Sequence, residues 1–171
     1  MIWILPFGGA GDPPFDALLP GLEAGLGERF QDRVETRPGV PDPYDAWDPA
    51  RRQHLTRAYH RVLAGLALPV PGHWLGLTGR DLFLPGMSFV FGEADPERRV
   101  AVLSSHRIAA SPERLAARLL IEAVHELGHT HGLAHCAEAR CVMRFSSRIE
   151  DSDGKGPDFC ARCAVLLAHT P

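Results

Sequence analysis

Residues 125–136 read HELGHTHGLAHC, and their types and spacing suit metal chemistry. His125 and His129 are four apart, so on a helix they stand one turn above each other on one face. Glu126 follows His125 and projects to the flank of that face. Gly132 comes three residues after His129, where a helix can stop and reverse. His135 then arrives three residues later as a third imidazole. Three neutral imidazoles and a carboxylate are what a catalytic zinc needs: three protein ligands, an open position for water, and a base beside it. A bare HExxH can arise by chance in a chain with nine histidines. Gly132 and His135 at their offsets make the signal specific. His131, six residues after His125, falls on a different face and reads as solvent-facing or as a neighbour of the ligands.

The four cysteines, Cys136, Cys141, Cys160 and Cys163, lie in the last quarter of the chain. Cys160 and Cys163 form a CxxC pair, and Cys136 and Cys141 a looser one. Two such pairs supply the four thiolates of a structural zinc site. Two competing readings stay open: a redox CxxC, which leaves Cys136 and Cys141 unexplained, and two disulfides in an exported chain.

Elements must position these groups. Ser111-Pro112-Glu113 is a helix start, with a cap, a first-position proline and a carboxylate at the positive end. The helix it opens runs to the His129 region with Leu115, Leu119 and Leu127 toward the core. Upstream, residues 2–5 read as a buried strand closed by Pro6 and a Gly8-Gly9 turn. Residues 15–30 have helical spacing despite Pro20, and residues 33–37 alternate like a strand. Residues 39–48 read as a loop. Asp48-Pro49 is expected to start a helix carrying Leu55, Tyr59, Val62 and Leu66, with His54 and His60 partly exposed on it. Further strands are expected at 73–78, 88–92 and 99–104. Strands alternating with helices argue for an α/β sandwich.

At 171 residues, with 45% hydrophobic and 23% charged residues, the chain fits one domain with a real core. A net charge of −3 gives no electrostatic reason to expect nucleic acid or an anionic membrane as partner. Lys155 is the only lysine, a bias attributable to coding composition. No run is long enough to span a membrane, and the apolar start lacks a basic leader region. A cytoplasmic protein made directly in mature form, a monomer whose partner is a peptide or protein substrate, is the expectation.

With HELGHTHGLAHC, Cys141-Val142-Met143 and the Cys160–Cys163 pair together, the chain resembles the archaemetzincins, small zinc proteases of the metzincin clan with a second, four-cysteine zinc site. The resemblance is dense over residues 125–163 and softer upstream, at Thr78–Leu82 and Ser88–Gly92. The loop between Met143 and Cys160 is slightly shorter than the family spacing. The resemblance implies His125, His129 and His135 as catalytic zinc ligands, Glu126 as general base, Met143 as a floor beneath the metal, and Cys136, Cys141, Cys160 and Cys163 around a structural zinc. That makes two zinc ions per chain. It also implies a compact metzincin-like single domain of α/β (α+β) class, with a mixed, mostly parallel sheet and helices packed on it. Residues 1–131 would form an N-terminal subdomain and 132–171 a zinc-stapled C-terminal one. Phe145 stands where other metzincins place a tyrosine, and is assigned to packing. An extended peptide would add to an edge strand above the cleft, for which 88–92 is the candidate. The implied activity is peptide-bond hydrolysis, leaning toward short peptides or aminopeptidase-like cleavage. The rival is a catalytically silent zinc module acting through partner binding.

Overall fold

The computed structural model describes residues 1–8, 15–66 and 70–169. Gly9, half of the expected Gly8-Gly9 turn, lies outside them. In chain order the elements are β1 (Ile2–Pro6), α1 (Phe15–Phe30), β2 (Val34–Thr36), a 3-10 turn (Tyr44–Ala46), β3 (Trp47–Asp48), β4 (Gln53–Leu55), α2 (Thr56–Gly65), β5 (His73–Thr78), β6 (Leu82–Phe83), β7 (Gly92–Asp95), β8 (Val100–Ser104), α3 (Pro112–Thr130), α4 (Ile149–Asp153) and α5 (Ala161–Ala168). Five strands form a sheet in the order β2-β1-β5-β8-β7. Its pairs are parallel except for β7, which runs antiparallel to β8 at the edge. A small second sheet orders β3-β4-β6.

The sheet separates two cores. Ile2, Ile4, Leu75, Leu77, Ala101 and Leu103 face α1 and α3, while Trp3, Leu5, Trp74, Val100 and Val102 face α2 and the small sheet. This follows from the two-residue period of a strand, and it is why β1, β5 and β8 read as unbroken apolar runs. Each fully buried Leu or Ile contributes on the order of 1.5–3 kcal/mol. Gly25 of α1 lets the Leu120 side chain of α3 approach: a Cβ there would stand 2.7 Å from Leu120 Cδ1.

Three expectations are corrected. Asp48-Pro49 opens a turn and not a helix: Asp48 is paired with Gln53 between β3 and β4, and its Oδ1 accepts the N–H groups of Ala50 and Arg51. The helix starts at Thr56. His60 on it is buried, its Nε2 3.0 Å from the Glu93 carbonyl oxygen. Finally, residues 88–91 carry only one bridge, Val90 to Leu82, and the edge strand begins at Gly92. Gly-Glu-Ala-Asp has poor strand propensity, but pairing with β8 overrides it. Among the described residues, no helix is long and apolar enough to cross a membrane.

Candidate metal centres

Helix α3 packs Leu119, Ala123, Val124 and Leu127 into the core. Its other face carries Glu122, His125, Glu126 and His129 at i, i+3, i+4 and i+7, all lining one cavity of about 370 Å³. Gly132, at φ +82, reverses the chain after the helix. Gly132 N–H donates to the His129 carbonyl and Leu133 N–H to that of Gly128. His135 is thereby carried back over the face it left. Cys136 N–H donates to Met143 O at 2.9 Å, tying that return to the next segment.

The ligand-type nitrogens of His125, His129 and His135 lie within 4.8 Å of one another. His125 Nδ1 is 2.8 Å from Val142 O and His129 Nδ1 is 2.7 Å from Leu133 O. Both Nδ1 atoms must donate, which leaves each Nε2 with its lone pair facing inward. The two Nε2 atoms are 3.2 Å apart. Two nitrogens on one tetrahedral zinc stand about 3.4 Å apart. Burial holds all three imidazoles below their ordinary pKa, His125 most, with Lys155 the next cause there; neutral rings are what a metal requires.

Glu126 is buried beside these rings. Burial lifts its carboxyl well above the ordinary range, and Glu122, one turn away, adds to the effect. The room for it comes from Gly92: a Cβ there would sit 2.7 Å from Glu126 Cγ and 2.8 Å from Val102 O. Met143, fully buried, lies under α3 at Gly128, where an added Cβ would strike its sulfur. Phe145 is half exposed at the cavity rim with its ring 5.1 Å from His135, so it lines the site besides packing. His131 is half-buried and lies outside the ligand cavity: it is sandwiched between Phe30 and His73, with ring centroids 4.9 and 3.7 Å away.

The second cluster is Cys136, Cys141, Cys160 and Cys163, with sulfurs within 4.8 Å of one another and no disulfide. Cys136 Sγ and Cys160 Sγ are 3.8 Å apart. That is nearly twice a disulfide bond and about the S···S separation on a tetrahedral zinc. Cys160 stands at the N-cap position of α5, where the backbone of Cys163 draws its thiol down to about 7. Backbone N–H groups of Glu138 and Cys160 point at Cys136 and Cys141 sulfurs, as thiolates favour. Both donor sets fit zinc.

The family model of peptidase family M54 matches residues 71–169, which contain all seven candidate ligands. The chain belongs to this family, that of the archaemetzincins. It is 39% identical to the archaemetzincin of Methanopyrus kandleri over 90% of this chain and 91% of that one. With that of Archaeoglobus fulgidus it shares 38% over 86% and 89%. The crystal structure of the Methanopyrus kandleri archaemetzincin superposes with a TM-score of 0.89 at 36% identity, covering 99% of this chain and 94% of that one. Membership of M54 makes the chain a metallopeptidase, with one catalytic and one structural zinc fitting its two donor sets.

Several residues of the M54 site went unread in the sequence. Gly92 opens a strand and Gly128 lies inside a helix, where an isolated glycine often marks a close approach. Glu122 and Glu93 also line the cavity. Lys155, singled out in the sequence only as the one lysine, has a wholly buried side chain beside the site. The edge strand has its own signature. Ser104 N–H donates to Phe91 O at 2.8 Å. Alternation in an antiparallel ladder then turns Glu93 toward β8 and leaves the main-chain groups of Gly92 and Ala94 facing outward.

Proposed function

We propose that this metallopeptidase cleaves short extended peptides laid along β7, with His125, His129 and His135 holding the catalytic zinc and Glu126 as general base. The observation that carries the reading is a buried carboxylate in the wall of a 370 Å³ cavity, beside two inward-facing imidazole nitrogens 3.2 Å apart. A zinc ion bound there supplies Lewis-acid polarisation of a carbonyl and acidifies water. Glu126 accepts the proton of the attacking water and returns it to the departing amine. Its burial suits the base step, because a desolvated carboxylate takes a proton more readily. The outward groups of Gly92 and Ala94 pair with the substrate backbone. Phe89, Phe91 and Phe145 give the cavity an apolar wall for one side chain.

The aminopeptidase-like preference is supported by Glu93, which lines the same cavity and whose buried Oε2 accepts no hydrogen bond, standing 3.9 Å from His60 Nδ1. A free substrate amine offers that carboxylate a partner. The four unpaired cysteines favour a reducing, cytoplasmic setting, and we place the protein there as a monomer. The silent-module reading is disfavoured because all four chemical groups are present and converge.

Zinc-loaded Glu126→Gln tests the assignment. It should retain metal and lose about 10²–10⁴-fold in turnover on a peptide library; undiminished turnover refutes the role. Comparing free with acetylated peptides in the parent and in Glu93→Gln tests the finer reading. A free-amine preference that Glu93→Gln leaves intact removes Glu93 from it.

A further inference from the structure

Arginine fills seventeen of the eighteen basic positions, and the one lysine has a side chain with no exposed surface. Burying an ammonium is costly unless it is well partnered. Lys155 Nζ donates to the Arg144 carbonyl at 2.9 Å and stands 3.8 Å from Glu122 Oε1. Glu122 is itself buried, and its Oε1 accepts the Ser152 hydroxyl at 2.5 Å. Nζ also lies 3.5 Å from His125 Nδ1, but that nitrogen's proton is committed to Val142 O, so the contact there is one of packing.

The segment Lys155 grips touches two of the three imidazoles. Val142 O orients His125, Met143 lies beneath α3, Arg144 O receives the ammonium, and Phe145 packs on His135. Glu122, on α3 one turn before Glu126, anchors the other end. We propose that Lys155, facing Glu122, whose carboxylate Ser152 in turn braces, is a positioning residue for the catalytic metal: it clamps residues 142–145 against α3 so that His125 and His135 meet at ligand distance. A guanidinium is larger and brings five donors, against the one carbonyl and one carboxylate that face Nζ here. The proposal rests on the assignment of the three histidines as ligands, and its test reads metal binding, so that it stands apart from the role of Glu126.

Cobalt(II) distinguishes the two sites in one sample, because thiolate-to-cobalt charge transfer reports the cysteines and ligand-field bands report the histidines. The full chain would be titrated as parent, Lys155→Met, Glu122→Gln and the double variant, with urea unfolding alongside. Lys155→Met should weaken cobalt at the three histidines about 10–100-fold, as loss of a partner that orients a metal ligand does, and leave the cysteine band unchanged. The double variant removes both buried charges, so it should recover stability relative to Lys155→Met while its histidine-site affinity stays low, because Arg144 O still lacks its donor. If Lys155→Met fails to fold, the double variant carries the test. Parent-like or tighter cobalt binding at the histidines in either variant overturns the proposal. No cobalt at the histidines of the parent would instead sink the ligand assignment.

Discussion

Gly128→Ala places one methyl group where the sulfur of Met143 already lies. A Cβ at Gly128 would overlap Met143 Sδ, stand 3.1 Å from its Cε and 3.4 Å from Phe159 Cε1. Met143 has no exposed surface through which to escape. The alanine gains about 1 kcal/mol of helix propensity, whereas overpacking a filled core costs about 1–3 kcal/mol. Displacing Met143 also moves Val142 O, the acceptor that orients His125. A net loss of up to about 2 kcal/mol is expected, or up to roughly 8 °C in melting temperature for a chain of this size. Gly21→Ala is the control. Gly21 is also helical, but its added Cβ would meet nothing within 4 Å. The same substitution there should raise stability by about 0.5–1 kcal/mol. Urea unfolding of both variants, with metal content held equal, gives the midpoints and slopes, and a zinc competition assay gives the affinity. Gly128→Ala at least as stable as the parent, with unchanged zinc affinity, would refute the close-packing argument.

Gly92→Ala should lower turnover by at least tenfold with zinc content unchanged, since its methyl would contact Glu126 at 2.7 Å and the backbone at Val102 O; turnover equal to the parent would show that the neighbours give way freely. Cys160→Ser should reduce zinc from two ions per chain to one and lower stability by several kcal/mol; because Cys136 follows His135 and bonds to Met143 O, the histidine-site affinity should fall too, and parent-like affinity would break that coupling. His73, stacked on His131, is pushed by burial from 6.5 to about 3. The unfolded chain therefore binds the extra proton between those values, so His73 stabilises fully above pH 6.5 and its contribution falls with pH toward 3, by up to about 1.4 kcal/mol per pH unit. His73→Gln should flatten the pH dependence of unfolding in that interval, and an unchanged slope would count against the burial argument.

Much of the site was legible because its geometry is local. His125, Glu126 and His129 belong to one helix whose period places them, and Ser111-Pro112-Glu113 announces where that helix begins. Gly132 is set by a conformation only glycine enters easily, and its φ of +82 is what the return of His135 needs. The buried strands at residues 2–5, 73–78 and 99–104 announce themselves by apolar runs. The helix expected at Asp48-Pro49 fails for a local reason as well: aspartate caps a turn as readily as a helix, and the next residues pair as strands.

What the sequence alone determined, then, is the donor chemistry: three imidazoles and a carboxylate at helical spacing, four thiols in two pairs, and a chain of alternating strands and helices. Only the tertiary structure decided which strand is the free edge, what lies under and around the donors, and which buried charges meet. Gly-Glu-Ala-Asp becomes the edge through hydrogen bonds to β8, not through its own propensity. Gly128 matters because Met143 arrives beneath it, and Lys155 because Glu122, 33 positions earlier, faces it across the core. Contacts between residues so far apart leave no period in the sequence, and the free energy that selects them belongs to packing and desolvation of the folded whole.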